Sequence, residues 1–268
     1  MRAKRAARVR LDQLILERGL AESRSRAQAL LIGGRVRVGD GDGARLDRKP
    51  GDLVDPETPI EVEAPEPYVS RGGHKLAAAL DAFSVDASGR VCLDVGASTG
   101  GFTDVLLQRG ATRIACVDVG YGQLHERLRT DPRVSVLERT NARELRELPF
   151  SPDLVVCDVS FISVRLALPA ALALARPGWE AVVLVKPQFE AGRAEVRKGG
   201  VVRDAGVRAR VVREVVDAAL GWGAETLGAV DSGLPGPKGN REVFLHLAHR
   251  EHPQLPDDID AKIAAAII

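Results

Sequence analysis

The chain has 268 residues, 45% of them hydrophobic and 28% charged, with a formal net charge of +1. At roughly 100 to 200 residues per domain this predicts one large domain or a large one plus a small one, and it excludes a disordered chain or a fibrous repeat. No stretch approaches the roughly 18 consecutive apolar residues of a membrane helix, and the charged start MRAKRAARVR lacks an apolar signal core, so a cytoplasmic protein without a membrane partner is expected.

In chain order, residues 11–19 (LDQLILERG) put Leu11, Leu14 and Ile15 on one helical face and stop at a glycine, which predicts a first helix. Ser23 or Ser25 caps a second helix, with Gln28 completing a capping box from Ser25, Ala27, Leu30 and Leu31 facing inward, and Gly33 as the stop. An alternating strand follows over residues 35–38 (RVRV), closed by the turn-rich GDGDG, then a short strand with IEVE, and APEPY reads as a linker. This piece is strongly basic: Arg2, Lys4, Arg5, Arg8, Arg10, Arg18, Arg24, Arg26, Arg35 and Arg37 face only Asp12, Glu17 and Glu22 over residues 1–37. Arg24 and Arg26 fall in the first turn of the second helix, where the macrodipole disfavours cations by a few tenths of a kcal/mol each. A phosphate backbone would offset that cost; a solvated charged face is the plainer reading.

The order RLDQLILERGLAESRSRAQALLIGGRVRVGDG resembles the S4-type RNA-binding domain. The resemblance implies that structured RNA is met by the helical face and by Arg10, Arg24, Arg26, Arg35 and Arg37, through phosphate contacts whose affinity depends on salt.

Beyond the linker, candidate strands are VCLDV (91–95), RIACVD (113–118), VSVL (134–137), LVVCD (154–158), AVVLVK (181–186), a weaker one over 226–230, and VFLHL (243–247), with helical patterns between most of them. Short β-branched runs separated by helices predict an α/β fold, a doubly wound, mostly parallel seven-stranded Rossmann-like sheet that binds ligands at the carboxyl ends of its strands, behind a small N-terminal α+β domain. The expected organisation is domain 1–63, linker 64–70 and domain 71–268. Cys92, Cys116 and Cys157 each lie inside an apolar run and read as buried reduced thiols. The tail past His246 reads as a surface strand end and a short terminal helix.

LDVGASTGGFTDVL over residues 93–106 is a strand, a glycine-rich turn and a helix. Its spacing departs from the G-x-G-x-x-G of dinucleotide sites. Asp118 ends the second strand, placed to bind ribose hydroxyls or to cap a helix; Asn141 follows the third, placed to border an adenine or to make a turn. Together these features resemble a class I S-adenosylmethionine-dependent methyltransferase. The resemblance implies S-adenosyl-L-methionine as cofactor, held by Asp94, Gly96, Ser98, Thr99, Gly100, Gly101, Phe102, Asp118, Asn141 and Asp158.

Lys75, Asp158, Lys186 and Glu242 stand where a doubly wound sheet places active sites, although a lysine ending an apolar strand is often only a solvated strand end. The set is similar to the K-D-K-E tetrad of FtsJ-type ribose 2′-O-methyltransferases, which implies Lys186 as base, with an antiparallel last strand carrying Glu242 to the same sheet edge. A 2′-hydroxyl is a very weak acid, so its proton must leave as attack proceeds. To act so, Lys186 must be neutral, which a second lysine, a sulfonium and partial burial favour and the two carboxylates oppose. With VSRGGHKL, VDVGYGQL, ERTNAR, CDVSFIS, LVKPQFE and LPGPKGN, the whole chain resembles the TlyA family. That implies 2′-O-methylation of cytidine in 16S or 23S ribosomal RNA, within 30S or 50S subunits. The basic start and the long tail match the longer type, which acts on both. Members also carry the hemolysin name, so a membrane-lytic protein and a non-catalytic RNA-binding assembly factor are the alternatives. Arg71 is expected at the RNA, Phe161 and Phe189 either stack on a flipped cytosine or pack in the core, and residues 191–200, with Arg193, Arg197 and Lys198, form an RNA-contacting or merely solvated loop. No metal is expected, since His246, His249 and His252 run from a strand pattern into Pro253.

Overall fold

The computed structural model describes residues 7–63, 66–196 and 199–267; Arg2, Lys4 and Arg5 of the basic start, and Arg197 and Lys198, lie outside the described residues. The chain divides into two compact units, Met1–Pro67 and Tyr68–Ile268. Tyr68 and Val69, inside the expected linker, pack on the core of the second unit, and the Val69 N–H donates to Asp104 at 2.8 Å.

The first unit comprises β1 (Val9–Arg10), α1 (Leu11–Glu17), α2 (Arg24–Ile32), β2 (Val36–Val38), β3 (Leu53–Val54) and β4 (Ile60–Val62). Leu11, Leu14 and Ile15 are buried with Ala27, Leu30 and Leu31, while β2 pairs with β4 and β1 with β3, both antiparallel. Ser23 caps α2, its Oγ accepting the Arg26 N–H at 3.2 Å. The capping box expected of Ser25 and Gln28 does not form, because Gln28 Nε2 donates to Asp12 Oδ2 at 2.8 Å instead. Asp12 is fully buried and also accepts from Arg10 at 3.0 Å and from Arg24 at 3.0 Å. The anion that offsets Arg24 at the start of α2 is therefore the protein's own. Hydrogen bonds from Arg10 outweigh the burial penalty and hold the Asp12 carboxyl far below the usual range.

The second unit runs α3 (Arg71–Phe83), β5 (Val91–Val95), α4 (Gly101–Gln108), β6 (Arg113–Val117), α5 (Glu126–Arg129), β7 (Val134–Leu137), β8 (Leu154–Cys157), α6 (Val164–Leu172), β9 (Glu180–Val185), α7 (Pro187–Glu190), α8 (Ala205–Leu220), β10 (Ala224–Asp231), β11 (Val243–His249) and α9 (Ile259–Ala266). The sheet order is β10-β11-β9-β8-β5-β6-β7. Strands β5 to β9 pair parallel, and β11 alone is reversed, antiparallel to both β9 and β10. Because helices cover both faces, the strands are apolar throughout and the pleat divides them: Leu93, Val155 and Val183 join the core under α6 and α8, while Cys92, Val156 and Val182 join the core under α3 and α4. The strand end of the tail is not at the surface, since Leu247 and Ala248 are buried in β11; the short terminal helix expected after it is α9. Helix α9 buries Ile259, Ile263 and Ala266 in the α6–α8 core, since a spacing of three to four residues gives it one apolar face.

Chain order reverses between β5 and β8, so their carboxyl ends open a crevice. No described helix is long and apolar enough to cross a membrane.

Candidate active site

The crevice is built by glycine. After β5 the chain turns at Gly96 with φ +86°, and a Cβ there would stand 2.5 Å from the Asp158 carbonyl oxygen, so only glycine lets this turn pass the end of β8. Gly101, the first residue of α4, is equally tight: a Cβ would meet Ser70 Oγ at 2.2 Å and the Gly73 nitrogen at 2.8 Å. The start of α3 thus covers the helix end on which a dinucleotide pyrophosphate would rest. Gly100 packs against Leu124 and Leu128, and Phe102 is buried beside Phe244 with ring centroids 6.0 Å apart.

Two cavities share Gly96, Ser98, Asp158 and Ser160. One, of about 330 Å³, is also lined by Asp118, Asn141 and Phe161; the other, of about 420 Å³, by Arg71, Thr99, Phe102 and Lys186. Asp118 accepts N–H groups from Ser98 and Gly120, each at 2.7 Å. Each carboxylate oxygen retains acceptor capacity for a ligand hydroxyl. Asn141 makes the turn, its Oδ1 accepting the Arg143 N–H at 3.2 Å, and lines the cavity as well. Behind the glycine turn, Asp94 is fully buried: its Oδ2 accepts the Thr103 N–H at 3.0 Å and hydroxyl at 2.7 Å, while Oδ1 has no hydrogen-bond partner. Burial pushes its carboxyl up to about 7 against the pull of Thr103.

The four residues expected as a tetrad form two pairs. Asp158 follows β8, its backbone N–H donating to the Val95 oxygen at 2.9 Å, and its Oδ1 lies 2.5 Å from Lys186 Nζ, which follows the neighbouring β9. That contact is an ion pair without directed hydrogen-bond alignment; the Lys186 amine donates to Ser160 Oγ at 2.9 Å. Lys75 lies in the second turn of α3 and donates to Glu242 Oε2 at 2.6 Å, with Glu242 fully buried just before β11. Gln188 Nε2 reaches Glu242 Oε1 at 3.5 Å, linking the segment after Lys186 to the second pair.

A cofactor-sized cavity at the switch point beside a lysine–carboxylate pair is an arrangement for group transfer, and comparison with known proteins identifies which. The model of the FtsJ-like methyltransferase family matches residues 68–249, and that of the S4 domain matches residues 9–40. The chain is 50% identical over 246 residues to the 16S/23S rRNA (cytidine-2′-O)-methyltransferase TlyA of Mycobacterium tuberculosis, covering 90% of each chain. It is also 38% identical to Hemolysin A of Brachyspira hyodysenteriae, covering 89% of this chain and 99% of that one. The chain belongs to the FtsJ-like methyltransferases, in the TlyA family. A solved structure of a candidate hemolysin from Streptococcus thermophilus has the same architecture, with TM-score 0.72, 39% identity and coverage of 96% of this chain and 95% of that one.

Around the cleft of this FtsJ-like unit, Phe161 is 92% exposed at φ +67° and meets the Phe189 ring at a centroid distance of 5.3 Å, so it does not pack in the core. Arg71 is exposed at the rim. In the S4 unit, Arg26 is exposed, Arg37 donates to the Gly41 oxygen at 3.4 Å, and Arg35 pairs with Glu63 at 3.6 Å. His246 and His249 are engaged apart, with Glu180 at 2.9 Å and the Gly178 N–H at 3.2 Å. Three participants went unread in the sequence: Ser160, Gln188 and Glu190. Buried Glu190 accepts from Ser163 Oγ at 2.5 Å and the Val164 N–H at 2.7 Å, tying the start of α6 to α7. Its signal was an acid directly after K-P-Q-F in a segment that must turn inward.

Proposed function

We propose that this chain methylates the ribose 2′-oxygen of a cytidine in ribosomal RNA, on both the 30S and the 50S subunit, with S-adenosyl-L-methionine as methyl donor. The observation that carries the reading is Lys186 in contact with Asp158 on the wall of the cavity that the glycine turn opens.

The donor fits the residues present. Asp118 supplies carboxylate acceptors for ribose hydroxyls, Asn141 and Ile162 border the space for a base, Gly96 and Ser98 form the floor, and Asp94, buried behind the glycine turn, holds the start of α4 through Thr103. The cavity size lies in the range of small-molecule sites. When bound, S-adenosylmethionine supplies a methyl group on a positively charged sulfur. Lys186 Nζ takes the proton of the 2′-hydroxyl as its oxygen attacks, and Asp158 holds the amine in place. Lys75 and Glu242, each the other's partner, brace α3 and β11 on either side. Arg71 offers a cation to a phosphate at the rim, and Phe161 with Phe189 offers a stacking face for a cytosine drawn out of its helix. The S4 unit docks structured RNA through Arg10, Arg24, Arg26, Arg35 and Arg37, the first two held in fixed orientation by Asp12.

The test is methyl transfer from labelled S-adenosylmethionine to purified unmodified 30S and 50S subunits, with nucleoside mass spectrometry and Lys186→Ala in parallel. A 2′-O-methylcytidine product from both subunits that vanishes in the variant is expected. Cofactor binding with no transfer to either subunit would overturn the reading.

A further inference from the structure

We infer that Ser160 is a positioning residue that aims the Lys186 amine, an inference that rests on the reaction proposed above. A neutral amine carries two N–H groups and one lone pair, which with its carbon fill four tetrahedral directions. Asp158 Oδ1, 2.5 Å from Nζ, holds the amine close but without hydrogen-bond alignment, so it does not fix which way the lone pair turns. Ser160 Oγ, 2.9 Å from Nζ, accepts one N–H and leaves the lone pair two directions in place of three. A lysine stem has four rotatable bonds and no orientation of its own, so the Ser160 acceptor narrows where the lone pair points. The proton of the hydroxyl then passes from the ribose oxygen to Nζ, and Ser160 gains and loses none.

The placement is built into the loop. Ser160 and Asp158 lie two residues apart after β8, both line both cavities, and Lys186 comes from the adjacent parallel strand. The next residue, Phe161, takes a left-handed φ of +67°, a conformation that a bulky residue holds only when its surroundings impose it. Glu190 supplies that constraint by gripping Ser163 Oγ and the Val164 N–H from α7, the helix that begins immediately after Lys186. The same buried acid thus holds the Ser160 loop and the lysine's own segment together.

The experiment compares wild type, Ser160→Ala, Ser160→Thr and Lys186→Ala in the full chain, measuring kcat and KM for unmodified subunits, cofactor Kd by calorimetry, and the thermal midpoint. Misdirection of a catalytic group costs rate and leaves binding intact. We expect Ser160→Ala to lower kcat about tenfold with KM and cofactor Kd within about twofold, and Ser160→Thr, which keeps the hydroxyl, to recover most of the loss. A Ser160→Ala enzyme with wild-type kcat, a Ser160→Thr enzyme as slow as Ser160→Ala, or a loss confined to KM or Kd would each overturn the inference while leaving the proposed reaction intact. A wild type that makes no 2′-O-methylcytidine would overturn both.

Discussion

Lys186 with Asp158 and Lys75 with Glu242 are the same two charges in different surroundings. In the first pair the carboxylate is 26% exposed and both partners line a cavity. In the second the carboxylate is fully buried and so enclosed that a Cβ at Gly236 would meet its Oε1 at 2.1 Å. A lysine that faces a cavity can release its ammonium proton to solvent and, once neutral, take one from a substrate, whereas an enclosed pair cannot lose one charge without leaving the other buried and unpaired. In the proposed reaction this difference would make Lys186 and Asp158 the reacting half of the tetrad and Lys75 and Glu242 the bracing half.

The sharpest way to break this division is at Lys186. Its replacement by alanine should lower methyl transfer by roughly 10³-fold, within the range of a lost general base, with little change in the urea unfolding midpoint. Glu242→Ala should do the reverse of that pattern in stability, lowering unfolding free energy by about 3 to 5 kcal/mol because Lys75 is left without its counter-charge; chemical denaturation reads this directly. The double change Lys75→Met with Glu242→Leu should return most of that stability and, with the brace restored, most of the transfer rate. Slow transfer in a stable double variant would break the division by giving the enclosed pair a part in the chemistry.

On the substrate side, Phe161→Ala should weaken subunit binding by about 1 to 3 kcal/mol, the worth of one aromatic–base stack, seen as a raised KM at unchanged cofactor Kd. A further carboxylate sharpens the comparison, because buried Asp94 has no cation beside it among the described residues. Its folded value of about 7 lies above the 3.8 of an ordinary aspartate, so between those pH values the folded chain holds a proton that the unfolded chain has lost, and stability falls as pH rises through that window. The slope contributed is up to about 1.4 kcal/mol per pH unit and should disappear from the urea midpoint in Asp94→Asn. Asp12 carries the opposite sign: with its value held low by Arg10, its contribution is present above 3.8 and lost only as pH falls. The smallest effect is expected at Arg26, where alanine should flatten the plot of log affinity against log salt by about one unit or less, the share of one phosphate contact.

Much of the sheet was legible because β-branched runs such as LVVC and AVVLV cannot be solvated, and β5 and β7 begin and end at the residues that hydrophobic pattern and turn signals mark. The apolar spacing of α1 and α2 was equally plain. Capping was harder to read: Gln28 had a local partner by spacing, and a carboxylate 16 residues away took it instead. The short tail helix was expected, but its burial against α6 and α8 depends on contacts distant in sequence that no local pattern expresses. At the site, strand ends could single out Lys186 and Asp158, whose neighbours are set by parallel pairing. What no pattern expresses is which lysine meets which acid, or that a serine two residues past one of them would touch the amine, since those contacts depend on side chains crossing between strands.

The reversed strand β11 also sets an order of assembly. Glu242 and Lys75 are 167 residues apart in sequence, and β11 is inserted between β9 and β10, strands already made when it emerges. Closing so long a loop is slow relative to local helix and hairpin formation. During synthesis the crevice between β5 and β8 can form first, but the lysine on α3 waits for its acid until the last strand enters the sheet. A chain that ends short of β11 would therefore carry the crevice without the pair that braces it.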